Sequence, residues 1–198
     1  MSADPHVLRF LLERRSAGDL DFPGPSAEQL ATLIQAAATA PDHGSHMPYR
    51  FVVVQGEGRD AFGEALAAAA AEARPDVPAE AFAKVKKKAF KAPACVVVIC
   101  SPKLGGKAEL WEQQATAACA GFAIVLAATA LGLGAVWKST PHVAGRRLAE
   151  VLGLTDGEQV LGWINVGTLT SGEGPRRPTD VTALASVLGA NGRTPLGG

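Results

Sequence analysis

The chain contains little cysteine and no excess of charge of either sign. It has 3 cysteines and no Cys-x-x-Cys pair, so neither a disulfide framework nor a cysteine zinc site is expected, and we expect all three cysteines to be buried. The chain has 19 Lys and Arg residues and 19 Asp and Glu residues, which gives a formal net charge of zero. It therefore lacks the overall positive charge that is typical of nucleic-acid-binding proteins. The first residues include Asp4, Pro5 and Arg9 where a secretory signal needs an uninterrupted apolar stretch. We therefore expect a cytoplasmic protein that binds no nucleic acid.

Charge is also missing from one long stretch, between Gln113 and Trp137. Its length would satisfy the roughly 20 residues of a membrane span, so a transmembrane helix is one alternative. The stretch is, however, built largely from Ala, Gly and Thr with two Gln, which contribute little transfer energy, and no second span accompanies it. We favour a central helix from Glu109 to about Leu131, apolar all round and buried either in the fold or at a subunit interface, with no membrane span.

Hydrophobic periodicity predicts one domain of mixed secondary structure. A chain of 198 residues with 47% hydrophobic content is long enough for one core. Helices are predicted over residues 5–15, 27–37, 58–74, 79–91, 109–131, 140–152 and 179–188, and strands over 49–55, 94–100, 134–139 and 160–168. Because the strands do not alternate regularly with single helices, we expect an α+β fold.

Two polar trios are candidates for binding an anionic ligand. Arg14-Arg15-Ser16 lies near the C-terminal end of the first helix and combines two guanidinium groups with a hydroxyl, a set that suits a phosphate. The alternative is a helix end whose arginines interact with the helix dipole. Trp137-Lys138-Ser139 follows a glycine-rich turn, and the two trios could close on one anionic, aromatic ligand.

Other patterns allow different functions. Asp42, His43 and His46 could hold a catalytic metal ion in a hydrolase, although no fourth ligand or nearby general base is visible. A loop histidine that makes only local hydrogen bonds is the alternative. A lysine cluster is interpreted as the solvated face of a helix rather than as an anion-binding patch. It comprises Lys84, Lys86, Lys87, Lys88 and Lys91.

In their order and spacing these residues resemble the nitroreductase superfamily of flavoproteins, especially its short YdjA-like branch of FMN-dependent NAD(P)H nitroreductases. The resemblance runs from about Val7 to Thr168. It rests on Arg14-Arg15-Ser16, Ala40-Pro41-Asp42-His43, Pro48-Tyr49-x-Phe51, Gly56-Glu57-Gly58-Arg59, Trp111-Glu112-Gln113, Gly132-x-Gly134-x-x-Trp137-Lys138-Ser139 and Val166-Gly167-Thr168.

The resemblance implies a nitroreductase-like α+β fold. A central mixed or antiparallel sheet would be flanked by helices, in an intertwined homodimer that binds two FMN molecules at its interface. Residues 1–198 would form a single FMN-binding domain, with the tail 170–198 extended over the partner subunit. The same resemblance assigns the stretch 127–132 to the nicotinamide nucleotide.

The resemblance also implies roles for individual residues. Arg14, Arg15 and Ser16 would contact the FMN phosphate and ribityl chain, and His43 would be a further flavin contact. Trp137, Lys138 and Ser139 would lie beside the isoalloxazine ring. No catalytic side chain and no metal ligand is implied, because the flavin carries the chemistry.

This chain departs from its relatives at three positions. Thr39 stands where close relatives carry a flavin-contacting arginine, Lys138 where they often have arginine, and Tyr49 where a tryptophan is usual. The first change removes a cationic contact, the second loses the planar fork of arginine, and the third keeps an aromatic ring. Arg176 or Arg177 in the tail could compensate on the phosphate.

The expected function is hydride transfer from NAD(P)H through FMN to a nitroaromatic, a quinone or a similar small-molecule acceptor, with ping-pong kinetics. Two alternatives stay open: a non-catalytic flavin-binding or flavin-sequestering protein, and a metal-dependent hydrolase using Asp42, His43 and His46. The sequence decides neither the acceptor nor the choice between NADH and NADPH.

Overall fold

The computed structural model describes residues 5–140, 144–171, 179–190 and 192–196. The chain divides into two compact units. The larger unit is Ser16–Gly172, and the smaller one combines Met1–Arg15 with Glu173–Gly198. Arg176 and Arg177 lie outside the described residues.

The larger unit is built on a five-stranded sheet. Its strands are β1 (Leu20–Asp21), β2 (Tyr49–Gln55), β3 (Ala94–Cys100), β4 (Gly134–Lys138) and β5 (Gln159–Leu169). The order is β1-β5-β3-β2, with β4 also paired to β5, and every ladder is antiparallel. The four predicted strands are confirmed. The two-residue strand β1 was not predicted, because so short a segment has no periodicity to read.

Helices cover both faces of this sheet. In chain order the helices are α1 (Pro5–Glu13), which belongs to the smaller unit, then α2 (Ala27–Ala37), α3 (Gly58–Ala73), α4 (Ala83–Lys86), α5 (Leu110–Ala130) and α6 (Arg146–Leu152). Side chains of α3 and α6 pack on one face of the sheet, around Phe62, Leu148 and Trp163. Those of α2 and α5 pack on the other face, around Leu33, Ile124 and Ile164. This arrangement is the predicted α+β architecture.

Capping residues set the starts of two of these helices. The Ser26 hydroxyl accepts from the Gln29 backbone N–H, while the Gln29 side chain accepts from the Ser26 N–H. Glu109 and Glu112 make the same reciprocal pair at the start of α5. Capping boxes of this kind satisfy backbone donors that the first helical turn leaves unpaired.

Three predicted helices are wrong in part. Residues 79–91 form two 3₁₀ turns, Ala79–Phe82 and Lys87–Phe90, on either side of α4. In so short a segment, packing of buried side chains outweighs helix propensity. The helix predicted from residue 140 begins at Arg146, and residues 141–143 lie outside the described part. The helix predicted over 179–188 is a 3₁₀ turn followed by the hairpin β6 (Ser186–Gly189) and β7 (Gly192–Pro195), in which Gly192 has φ +109°.

Helix α5 is the predicted apolar central helix, but it is not buried on every side of a single chain. Among the described residues it is long and apolar enough to cross a membrane, with a mean hydropathy of 1.3 over a window that is 44% buried. Its buried side chains pack on the sheet, as a core helix requires. The opposite side exposes Trp111, Phe122 and Cys119, so the expectation that all three cysteines are buried is wrong for Cys119.

Candidate functional site

A cavity of about 400 Å³ lies where β4 and β5 meet, on the face of the sheet that α3 covers. It is lined by Gly18, Leu20, Lys88, Lys91, Val136, Lys138, Ser139, Trp163 and Asn165. The predicted residues Lys138 and Ser139 are therefore part of a concave site, and they are joined there by lysines from a different part of the chain.

The alternation of strand β4 decides which residues reach this cavity. Successive side chains of a strand point to opposite faces, so Val136 and Lys138 share one face and Trp137 lies on the other. Across the ladder, Lys138 is paired with Trp163 and Val136 with Asn165. Four of the lining residues thus come from paired positions on one face of the β4–β5 ladder: Val136, Lys138, Trp163 and Asn165.

Lys88 and Lys91 come from the segment that follows α4. Lys88 lies in the 3₁₀ turn Lys87–Phe90, and Lys91 caps that turn. With Lys138 they place three ammonium groups around one cavity, whose lining among the described residues includes no carboxylate. An arrangement of this kind attracts an anion. Lys91 is exposed, as expected for a solvated cluster, but both lysines lie in or beside a 3₁₀ turn rather than on an α-helix.

The walls of the cavity are largely apolar. Leu20 and Val136 line it together with Trp163, which is only 1% exposed and meets Phe62 edge-to-face at 5.7 Å. The indole N–H of Trp163 has no hydrogen-bond partner within the described part of the chain. A buried donor without an acceptor is costly, and such a group in a cavity wall suggests an acceptor on a ligand.

Asn165 adds a buried amide to the cavity. It is 1% exposed, and its Oδ1 accepts a hydrogen bond from the Cys95 thiol at 3.3 Å. Burial raises the pKa of Cys95 to about 12, which keeps that thiol protonated and able to donate. The thiol has one proton and two acceptors in reach, the Ala89 carbonyl at 3.8 Å and the closer Asn165 Oδ1.

The Arg14-Arg15-Ser16 trio is divided between the two units. Arg14 and Arg15 are half-buried residues of the smaller unit, while Ser16 begins the larger one. The backbone N–H of Ala17 donates to the Ala135 carbonyl at 3.0 Å, which fixes the segment after Ser16 beside β4. Gly18 of that segment lines the cavity.

His43 is placed away from these cavity residues. Its Nδ1 lies 3.1 Å from Oε1 of Glu112, at the start of α5. The backbone N–H of Glu109 and, second, the His43 side chain lower the pKa of Glu112. Nearby, Thr39 uses its hydroxyl to donate to the Ala36 carbonyl in the last turn of α2.

The candidate metal ligands make separate local contacts. Asp42 accepts the Met47 backbone N–H at 2.6 Å, and His43 contacts Glu112. The His46 ring fills the space beside Gly44 and Gly106, where added Cβ atoms would approach its Nε2 to within 2.7 and 2.8 Å. Across the described ranges, no group of three or more His, Cys, Asp or Glu side chains is arranged to hold a metal ion.

Trp137 packs on the opposite face of the sheet from Lys138. Its ring occupies space that a side chain at Gly121 or Gly162 would fill, and an added Cβ at Gly162 would lie 2.7 Å from its Nε1. Gly162 has φ +147° and stands at a register shift between β3 and β5, a conformation that favours glycine. The structure therefore gives Trp137 a packing role and leaves Lys138 and Ser139 at the cavity.

Sequence reasoning missed Lys88, Lys91, Trp163 and Asn165. The lysines belonged to a cluster whose usual role is solvation, and the other two lie within an apolar strand. The pairing of β4 with β5 places Trp163 and Asn165 beside Lys138, and Lys88 and Lys91 reach the same cavity from a separate 3₁₀ turn.

The chain is similar to known proteins in both sequence and fold. The sequence profile of the Nitroreductase family matches residues 11–168. A protein of Escherichia coli (strain K12), named "Putative NAD(P)H nitroreductase YdjA", is 35% identical over 162 residues, which cover 82% of this chain and 87% of that protein.

Two crystal structures share the fold. A nitroreductase-like family protein from Bacillus cereus superposes with a TM-score of 0.77 and 24% identity, covering 94% of this chain and 98% of that chain. A Desulfovibrio desulfuricans protein, described as "a putative nitroreductase in complex with fmn", has a TM-score of 0.65 and 24% identity, covering 89% and 94% of the two chains.

Proposed function

The chain belongs to the nitroreductase family, and from this premise we propose that it is an FMN-dependent oxidoreductase. It transfers hydride from NAD(P)H to a small acceptor such as a nitroaromatic compound or a quinone. The name of the Escherichia coli relative supports NAD(P)H as the donor, and the FMN complex of a structural neighbour supports the cofactor.

The observation that carries this proposal is the cavity with three lysines and an apolar wall. FMN combines a flat, largely apolar ring system with a phosphate and, when reduced, a negative charge on the ring. Leu20, Val136 and Trp163 suit the ring, and the unpartnered indole N–H of Trp163 suits one of its acceptor atoms. The residues present therefore fit this cofactor.

We assign the holding of FMN to two groups of residues. Lys138 and Ser139 lie beside the ring, with Lys88 and Lys91 supplying further positive charge around it. Arg14, Arg15 and Ser16 hold the phosphate and ribityl chain. Because guanidinium groups make bidentate contacts with phosphate, the first trio is better suited to that end than the lysines are.

Bound FMN would supply the hydride-accepting and hydride-donating chemistry. The protein contributes binding, orientation and electrostatics: the ammonium groups of Lys88, Lys91 and Lys138 are positioned to stabilise negative charge in a partly apolar site. The apolar wall keeps water from part of the cavity. If donor and acceptor use one site in turn, ping-pong kinetics follow.

We further propose a homodimer in which the exposed face of α5 meets a second copy. Trp111, Ala115 and Ala118 are exposed and recur at helical spacing along α5, forming an apolar stripe of the kind that marks an interaction surface. Val7 and Leu8 of α1 are exposed as well. In such a dimer His43 of one subunit could complete the flavin site of its partner.

Three further assignments are part of this proposal. Residues 1–198 form a single domain with a tail from residue 170 that extends over the partner subunit, and the protein works in the cytoplasm without a membrane or nucleic-acid partner. Trp137 packs behind the site of the flavin ring, on the opposite face of the sheet.

The test is the visible absorption spectrum of the purified protein after reconstitution with FMN, before and after anaerobic addition of NADPH or NADH. We expect a flavin spectrum that bleaches with at least one of the two donors. A flavin spectrum that does not bleach with either would instead support a flavin-sequestering protein, and failure to take up FMN would overturn the proposal. Metal analysis in parallel tests the hydrolase alternative, which predicts stoichiometric zinc in a colourless protein.

A further inference from the structure

Arg59, near the start of α3, lies between two aromatic rings. Its guanidinium carbon is 5.3 Å from the ring centroid of Phe22 and 5.5 Å from that of Phe90. Its Nε donates to the Gly56 carbonyl at 3.2 Å and its Nη1 to the Ala92 carbonyl at 3.5 Å. Cation–π contacts on two rings and two hydrogen bonds hold this side chain in one position.

The two rings belong to the two segments that carry one side of the cavity. Phe22 follows Leu20, a lining residue, by two positions, and Phe90 lies between the lining residues Lys88 and Lys91. The Ala92 carbonyl that accepts from Arg59 directly follows Lys91. Arg59 itself contributes no atom to the cavity wall formed by the described residues.

Close packing also joins the same two segments. A Cβ added at Gly24 would lie 2.9 Å from the Pro93 side chain, and one added at Gly167 would lie 2.7 Å from it. The Thr168 hydroxyl donates to the Pro23 carbonyl at 2.7 Å. These contacts hold Pro23 and Pro93 against β5. The lysine-bearing turn is held by the buried side chain of Ala89 and, through Phe90 and Ala92, by Arg59.

We propose that Arg59 is a positioning residue that sets the placement of Lys88 and Lys91 at the cavity and so determines how tightly the cavity binds an anionic ligand. Three ammonium groups around one cavity repel one another, so the turn that carries two of them needs a fixed attachment. The planar guanidinium between two rings provides it. The inference rests on the proposed function only in taking FMN as the principal ligand.

The experiment measures the dissociation constant for FMN by flavin fluorescence quenching in a double-mutant cycle. Arg59→Met keeps an unbranched side chain but removes the cation, and it is made in the wild-type chain and in a Lys88→Gln/Lys91→Gln chain. We expect Arg59→Met to weaken FMN binding about fivefold in the wild-type chain and less than about twofold in the chain without the two lysines, since coupled residues are not additive. Arg59→Lys, which keeps a cation over the rings, should recover most of the affinity.

Arg74 provides a matched control. Its guanidinium carbon lies 4.9 Å from the centroid of the buried Phe82 ring, and Arg74 is not among the residues that line the cavity. Arg74→Met therefore removes a cation–π contact of the same kind, and we expect it to lower thermal stability while changing FMN affinity by less than about twofold. A loss of affinity in this variant equal to that of Arg59→Met would show that general destabilisation explains both, and would overturn the proposal.

A second probe separates this proposal from the proposed function. Inorganic phosphate, compared with chloride at equal ionic strength, should raise the unfolding temperature of the wild-type chain, and Arg59→Met should reduce that rise. If phosphate raises the unfolding temperature in an Arg59-dependent way but FMN does not bind, the flavin function is refuted and the positioning role still holds. The positioning role would be overturned if Arg59→Met weakened FMN binding by the same factor in the wild-type chain and in the chain without the two lysines. It would also be overturned if neither FMN nor phosphate bound to the wild-type chain.

Discussion

Replacing Glu158 with Gln should destabilise the protein in a strongly pH-dependent way. Arg50, at the start of β2, donates from Nε and Nη2 to the two carboxylate oxygens of Glu158, both at 2.7 Å. Its Nη2 also reaches the carbonyls of Leu152 and Gly153. The pair thus ties an edge strand of the sheet to the turn between α6 and β5.

The size of the effect follows from the carboxyl pKa. Hydrogen bonds from Arg50, together with the Thr155 backbone N–H and Ser101, lower the pKa of Glu158 from 4.5 to about 2. At about 1.4 kcal/mol per pKa unit, that difference corresponds to at most about 3.5 kcal/mol of stability. The Glu158 side chain is 5% exposed but that of Arg50 is 33% exposed, so solvent screening reduces our expectation to about 2 kcal/mol.

The sign is set by the direction of the pKa change. A carboxyl whose pKa is lower in the folded state stabilises the protein fully above its unfolded pKa, here 4.5, and progressively less as pH falls toward its folded pKa. We therefore expect Glu158→Gln to cost about 2 kcal/mol at pH 7 and less than half of that at pH 3. The measurement is urea unfolding followed by tryptophan fluorescence, at one protein concentration because oligomerisation would add to the apparent stability.

Glu150→Gln is the matched control. Glu150 pairs with Arg146 and Arg147 at 3.3 and 3.1 Å, but all three side chains are well exposed, and exposed pairs contribute little. This variant should stay within about 0.5 kcal/mol of wild type at both pH values. The assignment of the effect to the Arg50 ion pair would be refuted if Glu158→Gln lowered the unfolding free energy equally at pH 7 and pH 3. It would also be refuted if that loss were no larger than the loss caused by Glu150→Gln.

Three further predictions concern the site and the dimer. Lys88→Gln should weaken FMN binding about tenfold, as loss of a charge-assisted contact does, whereas Lys87→Gln, outside the cavity lining, should change it less than about twofold; equal losses in the fluorescence titration would contradict the assignment. Ala118→Glu on the exposed stripe of α5 should yield monomers by analytical ultracentrifugation while the exposed α3 variant Ala61→Glu does not, and an unchanged dimer would exclude that interface. Gly162→Ala, at φ +147° beside Trp137, should lower stability by more than about 2 kcal/mol in thermal unfolding, and a near-neutral effect would show that the Trp137 ring can move.

Much of the fold could be predicted from residue patterns. The strand Ala94–Cys100 is an unbroken apolar run with β-branched residues from Val96 to Ile99, typical of a buried central strand. The capping box of Ser26 and Gln29 predicts the start of α2. The family resemblance added the nitroreductase-like architecture. The secondary-structure predictions failed for short segments such as Lys87–Phe90, because tertiary packing there outweighs a weak local preference.

The site was predictable only in part, for a similar reason. Lys138 and Ser139 carry a recognisable motif, and the structure places both at the cavity. Lys88 and Lys91 sit in a lysine-rich stretch that looks like any solvated surface, so no local signal distinguishes them. Trp137 belongs to the same motif as Lys138, but successive side chains of a strand point to opposite faces, so the Trp137 ring lies on the other face of the sheet.

The sequence by itself determined the family, the α+β class and the motifs for an anionic aromatic cofactor, because these depend on residue types and spacing along the chain. Only the tertiary structure decided that Lys88, Lys91, Trp163 and Asn165 share one cavity with Lys138, and that Arg59 lies between Phe22 and Phe90. These cavity residues are up to 77 positions apart in the chain, from Lys88 to Asn165. Their meeting is set by strand pairing and packing over the whole domain, which no short window of sequence records.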